Sequence, residues 1–213
     1  MTTAEATPEF AESQPYPVRL DVERPESQSR LTNFPIGVGI LIRTILLIPH
    51  LIIVYFLGIL ASILYFIAMF AILFTGSYPL GLYNIVAAYM RWISNISGYF
   101  LSLYDRYPPF SGDAQQYPLS FEVIRPEHSS RILNFPILGY LVRSVLDIPH
   151  IVILFFFGLI AFVVVLVAQF AILFGGSFPG GMHGFAVGYL RWNIRNNSYL
   201  LGLTDKYPPF STS

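Results

Sequence analysis

Hydrophobic and polar positions fall into three patterns along the chain, and each pattern occurs twice. The shortest is an alternation, Val18-Arg19-Leu20-Asp21-Val22-Glu23 and later Leu119-Ser120-Phe121-Glu122-Val123, bounded by prolines at 17, 25, 118 and 126. A period of two sends successive side chains to opposite faces, so both runs are expected as strands. A lone strand leaves its ladder groups unpaired. The two are therefore expected to pair with each other or with a partner's strand, outside any bilayer, as a small lid or as a docking edge.

The second pattern is a long apolar run. Residues 51–74 carry no charge and one Ser62, and residues 151–174 have Gln169 as their one strongly polar member. A helix needs about 20 apolar residues to cross a hydrocarbon core, so both runs predict transmembrane helices. Arg43 and Pro49 interrupt the apolar stretch ahead of the first run, and Arg143 and Pro149 do so ahead of the second. Proline suits the first turn of a helix and breaks an interior. Residues 36–47 and 137–147 are accordingly read as interfacial helices, with new helices starting at the prolines. Glycine and proline close the runs at 75–79 and 175–179 without a single charge.

The third pattern, residues 80–104 and 180–203, is less apolar. Asn84, Ala88, Arg91, Asn95, Gly98 and Ser102 recur every three or four residues, as do Gly184, Gly188, Arg191, Arg195, Ser198 and Gly202. One narrow polar or small stripe on an otherwise apolar helix wants lipid on most sides and a protein or watery seam on one. These segments are expected to span, the alternative being an interfacial helix.

Residues 43–110 and 143–210 are identical at nearly half of their aligned positions, so the chain is a tandem duplication. Its parts read as a disordered acidic tail (1–14), a first membrane repeat (15–111), a linker (112–116) and a second membrane repeat (117–213). The fold class predicted is an all-α integral membrane protein: a duplicated two-helix transmembrane hairpin with about four spans, interfacial helices and a small extramembrane pair of β-strands. Apart from Arg91, Arg191 and Arg195, every Lys and Arg falls on the strand and Tyr-Pro-Pro-Phe side. The positive-inside rule then predicts that both hairpins cross in the same sense, with N- and C-termini in the cytoplasm. On that reading Arg91 and Arg191 lie near mid-bilayer, where an arginine costs roughly 2.5–3.5 kcal/mol and needs a partner.

Composition narrows the function. Of 213 residues 54% are apolar and 11% charged, and 12 Lys/Arg balance 12 Asp/Glu. A chain without net charge has no field to gather nucleic acid, and none is expected as a partner. The absence of cysteine excludes thiolate metal sites and cysteine nucleophiles. The polar, acidic opening lacks the form of a secretory signal.

Six residues are the candidate intramembrane polar or lipid-contacting positions. Arg91 and Arg191 could bind a lipid or anionic headgroup, line a watery path, or brace the bundle through carbonyls. Arg43 and Arg143 are expected to snorkel to phosphates, with Asp147 placed to pair Arg143 one turn on. His50 and His150 follow the helix-starting prolines at matched depth. Such a pair can hold haem iron from two helices, yet nothing else in the sequence supports a cofactor, and none is expected. The acids lie in the tail, linker and strands, apart from Asp147 and the pair Asp105 and Asp205. No catalytic constellation forms, and the protein is expected not to be an enzyme.

The Tyr-Pro strand openings, Arg30 and Arg131, the two Ile-Pro-His motifs and the two Tyr-Pro-Pro-Phe endings resemble a bacterial membrane family, domain of unknown function 4389, over residues 16–110 and 117–210. The resemblance implies a tandem membrane domain and transfers no catalytic residue. The expected role is a non-catalytic accessory or scaffold subunit in the bacterial inner membrane. It would pack within a larger membrane complex through aromatic faces and the small residues Ala61, Ala68, Ala161 and Ala168. The alternative is a small oligomeric transporter or channel using the Arg91/Arg191 stripe. Membrane lipids, and a larger complex or further copies of the chain, are the partners expected.

Overall fold

The computed structural model describes residues 16–114 and 116–213; the acidic tail lies outside the described residues. Each repeat contributes one strand and two helices, in the order β1 (Val18–Val22), α1 (Val38–Thr75), α2 (Leu80–Phe100), β2 (Leu119–Val123), α3 (Leu138–Gly175) and α4 (Gly180–Leu200). The two strands pair with each other, antiparallel, with Leu20 opposite Phe121. Alternation works as the sequence predicts: Val18, Leu20, Leu119 and Phe121 are buried while Arg19, Asp21, Ser120 and Glu122 face out.

The prolines do not start helices. Pro49 lies inside a 38-residue α1, and Pro149 inside an equally long α3. There are thus no separate interfacial helices at 36–47 and 137–147. A proline removes one N–H and crowds the carbonyl four residues back, which disturbs a single turn. Here the neighbouring carbonyl of Leu46 accepts the Tyr107 hydroxyl at 2.8 Å, and Leu146 accepts Tyr207 at 2.8 Å. At about 1.5 Å per residue each long helix runs about 57 Å. Both end on a glycine in the left-handed region, Gly76 (φ 76°) and Gly176 (φ 79°), whose N–H closes on Ile72 or Ile172.

The repeats are inverted. The Tyr83 hydroxyl, at the start of α2, donates to the Leu203 carbonyl just past the end of α4, and His183 at the start of α4 meets the Leu103 carbonyl just past α2. The helices α2 and α4 are therefore antiparallel, and the expectation of two hairpins running in the same sense is overturned. Charge counting misled because each repeat's basic arm does not stay with its own hairpin. The Arg24 side chain bonds the Phe178 carbonyl and Gln28 N–H bonds that of Gly176; reciprocally, Arg125 bonds Tyr78 and Ser129 bonds Gly76. Each arm thus reaches the other repeat's inter-helix turn, so both ends of the molecule carry charge.

Three layers result. The central pair α2 and α4 is covered on one side by the sheet and on the other by α1 and α3. It is mostly buried by protein rather than surrounded by lipid-facing surface. In α1 only one stripe is buried, through Gly39, Arg43, Leu47, His50, Val54, Ala61, Tyr65, Ala68 and Ile72. Large apolar side chains cover the rest of its length, from Leu41 through Phe56 and Phe66 to Phe74, and α3 repeats the arrangement. Ala61, Ala68, Ala161 and Ala168 all lie in the buried stripes, where small side chains permit close helix contact. Among the described residues two helices, α1 and α3, are long and apolar enough to cross a membrane.

Candidate functional site

The motifs shared by the repeats build two kinds of local structure, each made twice. The first is a knot around a fully buried arginine. Arg43 Nε donates to the Thr32 carbonyl, Nη1 to the carbonyls of Tyr99 (2.7 Å) and Tyr104 (2.9 Å), and Nη2 to Asn33 Oδ1 and Asp105 Oδ1. Its guanidinium also lies 4.4 Å from the Tyr99 ring centre. Arg143 reproduces the set with Leu133, Tyr199, Thr204, Asn134 and Asp205. A guanidinium has five N–H donors, and all five are taken. Neither arginine snorkels to phosphate; the buried charge is instead neutralised by an aspartate arriving from the far end of the same hairpin. Nor does Asp147 pair Arg143. Its Oδ2 accepts from Asn196 Nδ2 at 3.0 Å, while Oδ1 is buried without a partner among the described residues.

The second structure is a clasp joining Ile-Pro-His to Tyr-Pro-Pro-Phe. Trp92 Nε1 donates to His50 Nδ1 at 3.0 Å, so the ring accepts at Nδ1 and its proton sits on Nε2. The same ring stacks on Phe110, centroids 3.9 Å apart and planes 8° apart. Trp192, His150 and Phe210 match this closely, with 2.9 Å for the hydrogen bond and 4.0 Å for the stack. The histidines belong to separate clasps in antiparallel hairpins and do not form a pair at one depth. Their rings hold the proline-rich tails against α1 and α3.

Arg91 and Arg191 lie under the sheet and the tails. Arg91 donates to the Gly112 and Phe121 carbonyls; Arg191 donates to Leu20 and Thr212 and forms an ion pair with Asp21 at 2.7 Å. Arg195 adds the carbonyls of Val18 and Ser213. Each second helix therefore grips the strand of the other repeat. Within the polar stripes seen in sequence, Arg91, Arg191 and Arg195 hold the strands. Burial lowers the Arg91 and Arg195 pKa values from the ordinary arginine value, and pushes the Tyr104 phenol, which donates to the Asn95 carbonyl, well above its ordinary value.

On the face opposite the sheet, α1 and α3 diverge and leave two clefts floored by α2 and α4. One, of about 510 Å³, is lined by Tyr65, Phe66 and Met69, by Ile137 and Tyr140, and by Asn193 and Asn197; the other, of about 570 Å³, lies between Leu47 and Phe162. Ile93, Ser97 and Asn193 line both. That common floor is where the crossing that sets Tyr83 beside Leu203 and Leu103 beside His183 brings the middles of α2 and α4 together. Among the described residues, no acidic, basic or histidine side chain lines either cleft.

Sequence reasoning missed the clefts and the knots, although the knot residues were visible as repeated Asn33/Asn134 and Asp105/Asp205. Among the described residues no cluster of three or more His, Cys, Asp or Glu could hold a metal ion. What the architecture defines is an internally duplicated, mostly helical protein with two long apolar helices and a two-stranded sheet. The chain belongs to the family described as "Domain of unknown function (DUF4389)", whose model matches residues 38–112 and again residues 138–212. No curated protein and no solved structure matches it.

Proposed function

We propose that the protein is a non-catalytic membrane scaffold, embedded in the cytoplasmic leaflet of the bacterial inner membrane with α1 and α3 lying along the bilayer in its hydrocarbon. The sheet, the tails and both described ends then face the cytoplasm. One observation carries this reading. The charged strand residues sit midway along the helix bundle, where Arg191 at the middle of α4 holds Asp21, whose side chain is 83% exposed. Were the helices perpendicular to the membrane, Arg19, Asp21 and Glu122 would lie near mid-bilayer, where each charge costs roughly 2.5–3.5 kcal/mol. Laid flat, the molecule keeps those charges in water while the apolar faces of α1 and α3 keep their lipid. A length of about 57 Å also suits a helix in the plane better than one crossing about 30 Å of hydrocarbon. The donors of Arg91 and Arg191, taken up by carbonyls of the sheet and tails, weigh against a transport stripe, and the exposed aromatic side chains of α1 and α3 offer surface to larger membrane proteins.

The chain has no cysteine, so single cysteines placed at Ser77, Ser120 and Ser177 report orientation without background. Labelled with a membrane-impermeant maleimide in intact spheroplasts and in inverted vesicles, none of the three reacts from the outside if the molecule lies flat, and Ser120→Cys reacts from the cytoplasm. In a crossing arrangement of inverted hairpins, Ser77→Cys and Ser177→Cys would react from opposite faces, and the flat orientation would be abandoned.

A further inference from the structure

We propose that the twin clefts between α1 and α3 bind an uncharged lipid that carries a hydrogen-bonding group, of the diacylglycerol or long-chain amide class, with its polar group at Asn193 and its chains along the cleft walls. This rests on the reading that α1 and α3 face hydrocarbon. The rims are formed by apolar side chains of the two exposed helix faces, so an occupant enters from an apolar phase. Each cleft falls within the roughly 300–1,000 Å³ range of small-molecule sites.

The floor is not apolar. Asn197 Nδ2 donates to the Asn193 carbonyl and to Asn193 Oδ1. Asn193 Nδ2 and Asn197 Oδ1 then make no hydrogen bond to the described residues, and Ser97 lines the same point. Asn193 is half-buried and Asn197 exposed on this face, so in hydrocarbon a free amide donor and a free amide acceptor favour a ligand that supplies the complementary group, because leaving them unpaired away from water is costly. A bare hydrocarbon does not pair them. A phospholipid or fatty acid is disfavoured by the lining, which offers no Arg or Lys to a phosphate or carboxylate. The floor is also where the repeats differ: Asn193 stands opposite Ile93, and Asn197 corresponds to Ser97. One half supplies the polar recognition that the other lacks.

The test is lipid retention. Protein purified in a maltoside detergent is incubated with 1,2-dioleoylglycerol, dioleoyl phosphatidylglycerol or oleate, and bound lipid is counted by native mass spectrometry. Dioleoylglycerol is expected to be retained at least tenfold over both charged lipids. Asn193→Ile and Asn197→Ser each install the residue of the other repeat and are expected to lower that retention about tenfold, with the thermal unfolding midpoint kept. Equal retention of charged lipids, or undiminished retention in whichever variants fold, overturns the proposal. So does a lipid-free dimer, which would mean that a second copy covers this face. Extraction with alkaline carbonate separates the two readings. Release from the membrane with lipid retention intact sinks the embedded scaffold alone, whereas an embedded chain that retains no neutral lipid sinks the cleft assignment alone.

Discussion

Between the two repeats, the side chains that carry the knots and clasps stay, while positions around them change. Those that stay build each hairpin: the arginine with its asparagine and aspartate, the clasp of proline, histidine, tryptophan and phenylalanine, and the small residues between paired helices. Several that change lie between the hairpins or inside repeat two. Leu47 becomes Asp147, Met69 becomes Gln169, Ile93 becomes Asn193 and Ile96 becomes Asn196. Tyr65 reaches across to Asn134 at 3.1 Å, and its counterpart Val165 cannot return the bond. The knots and clasps are thus common to both units, whereas some differences, such as Tyr65 against Val165 and Ile93 against Asn193, fall where the units meet and others, such as Asp147 with Asn196, fall inside repeat two.

The comparison breaks most severely if the shared part is not what holds each unit. Arg43→Met leaves a partly buried aspartate without its counter-charge and takes a donor from the Thr32, Tyr99 and Tyr104 carbonyls, and is expected to destabilise by about 3–5 kcal/mol. Arg143→Met should cost about the same, read as loss of folded protein in detergent by thermal unfolding. A clear inequality between the two would show that the knots are not equivalent.

A smaller effect of opposite sign tests the divergent part. Asp147→Leu with Asn196→Ile restores the residues of repeat one, replacing a buried polar pair that has two oxygens without a partner among the described residues. Stability is expected to stay the same or to rise by about 1–3 kcal/mol, since apolar replacement of both partners removes a desolvation cost. The reverse change, Leu47→Asp alone, buries an unpaired carboxylate and should destabilise strongly. A marked loss from the double variant would instead reveal a role for Asp147 that packing does not capture.

The clasps give the smallest expected change. Phe110 is half exposed, so Phe110→Ala removes one stacked ring for about 1 kcal/mol. Its more informative readout is limited proteolysis, in which the tail after Tyr107 should become accessible while α1 and α2 remain protected. Phe210→Ala is expected to free the other tail alone.

Much of this was legible in the chain because it depends on local pattern. Alternation predicted both strands, and each pairs with the other. The apolar runs placed the long helices, and the duplication was plain from matched motifs. Ala61 and Ala68, expected as contacts to a larger complex, are instead buried within the chain's own helix packing. The failures have a common cause. Pro49 was read by its local preference, yet Tyr107, far along the chain, sits on the carbonyl beside the disturbed turn. Arg43 was read by its neighbours, yet Asp105 comes from the other end of the hairpin.

By itself, then, the sequence determined which segments are helix or strand, which faces shun water, and that the same unit is built twice, since all three follow from side-chain periodicity and self-similarity. Only the tertiary structure decided that the units run in opposite directions, that the arms cross to the other repeat, and that two clefts open where the long helices part. Those choices turn on contacts between residues tens of positions apart. Hydropathy is blind to them because an apolar helix reads the same whichever way it points.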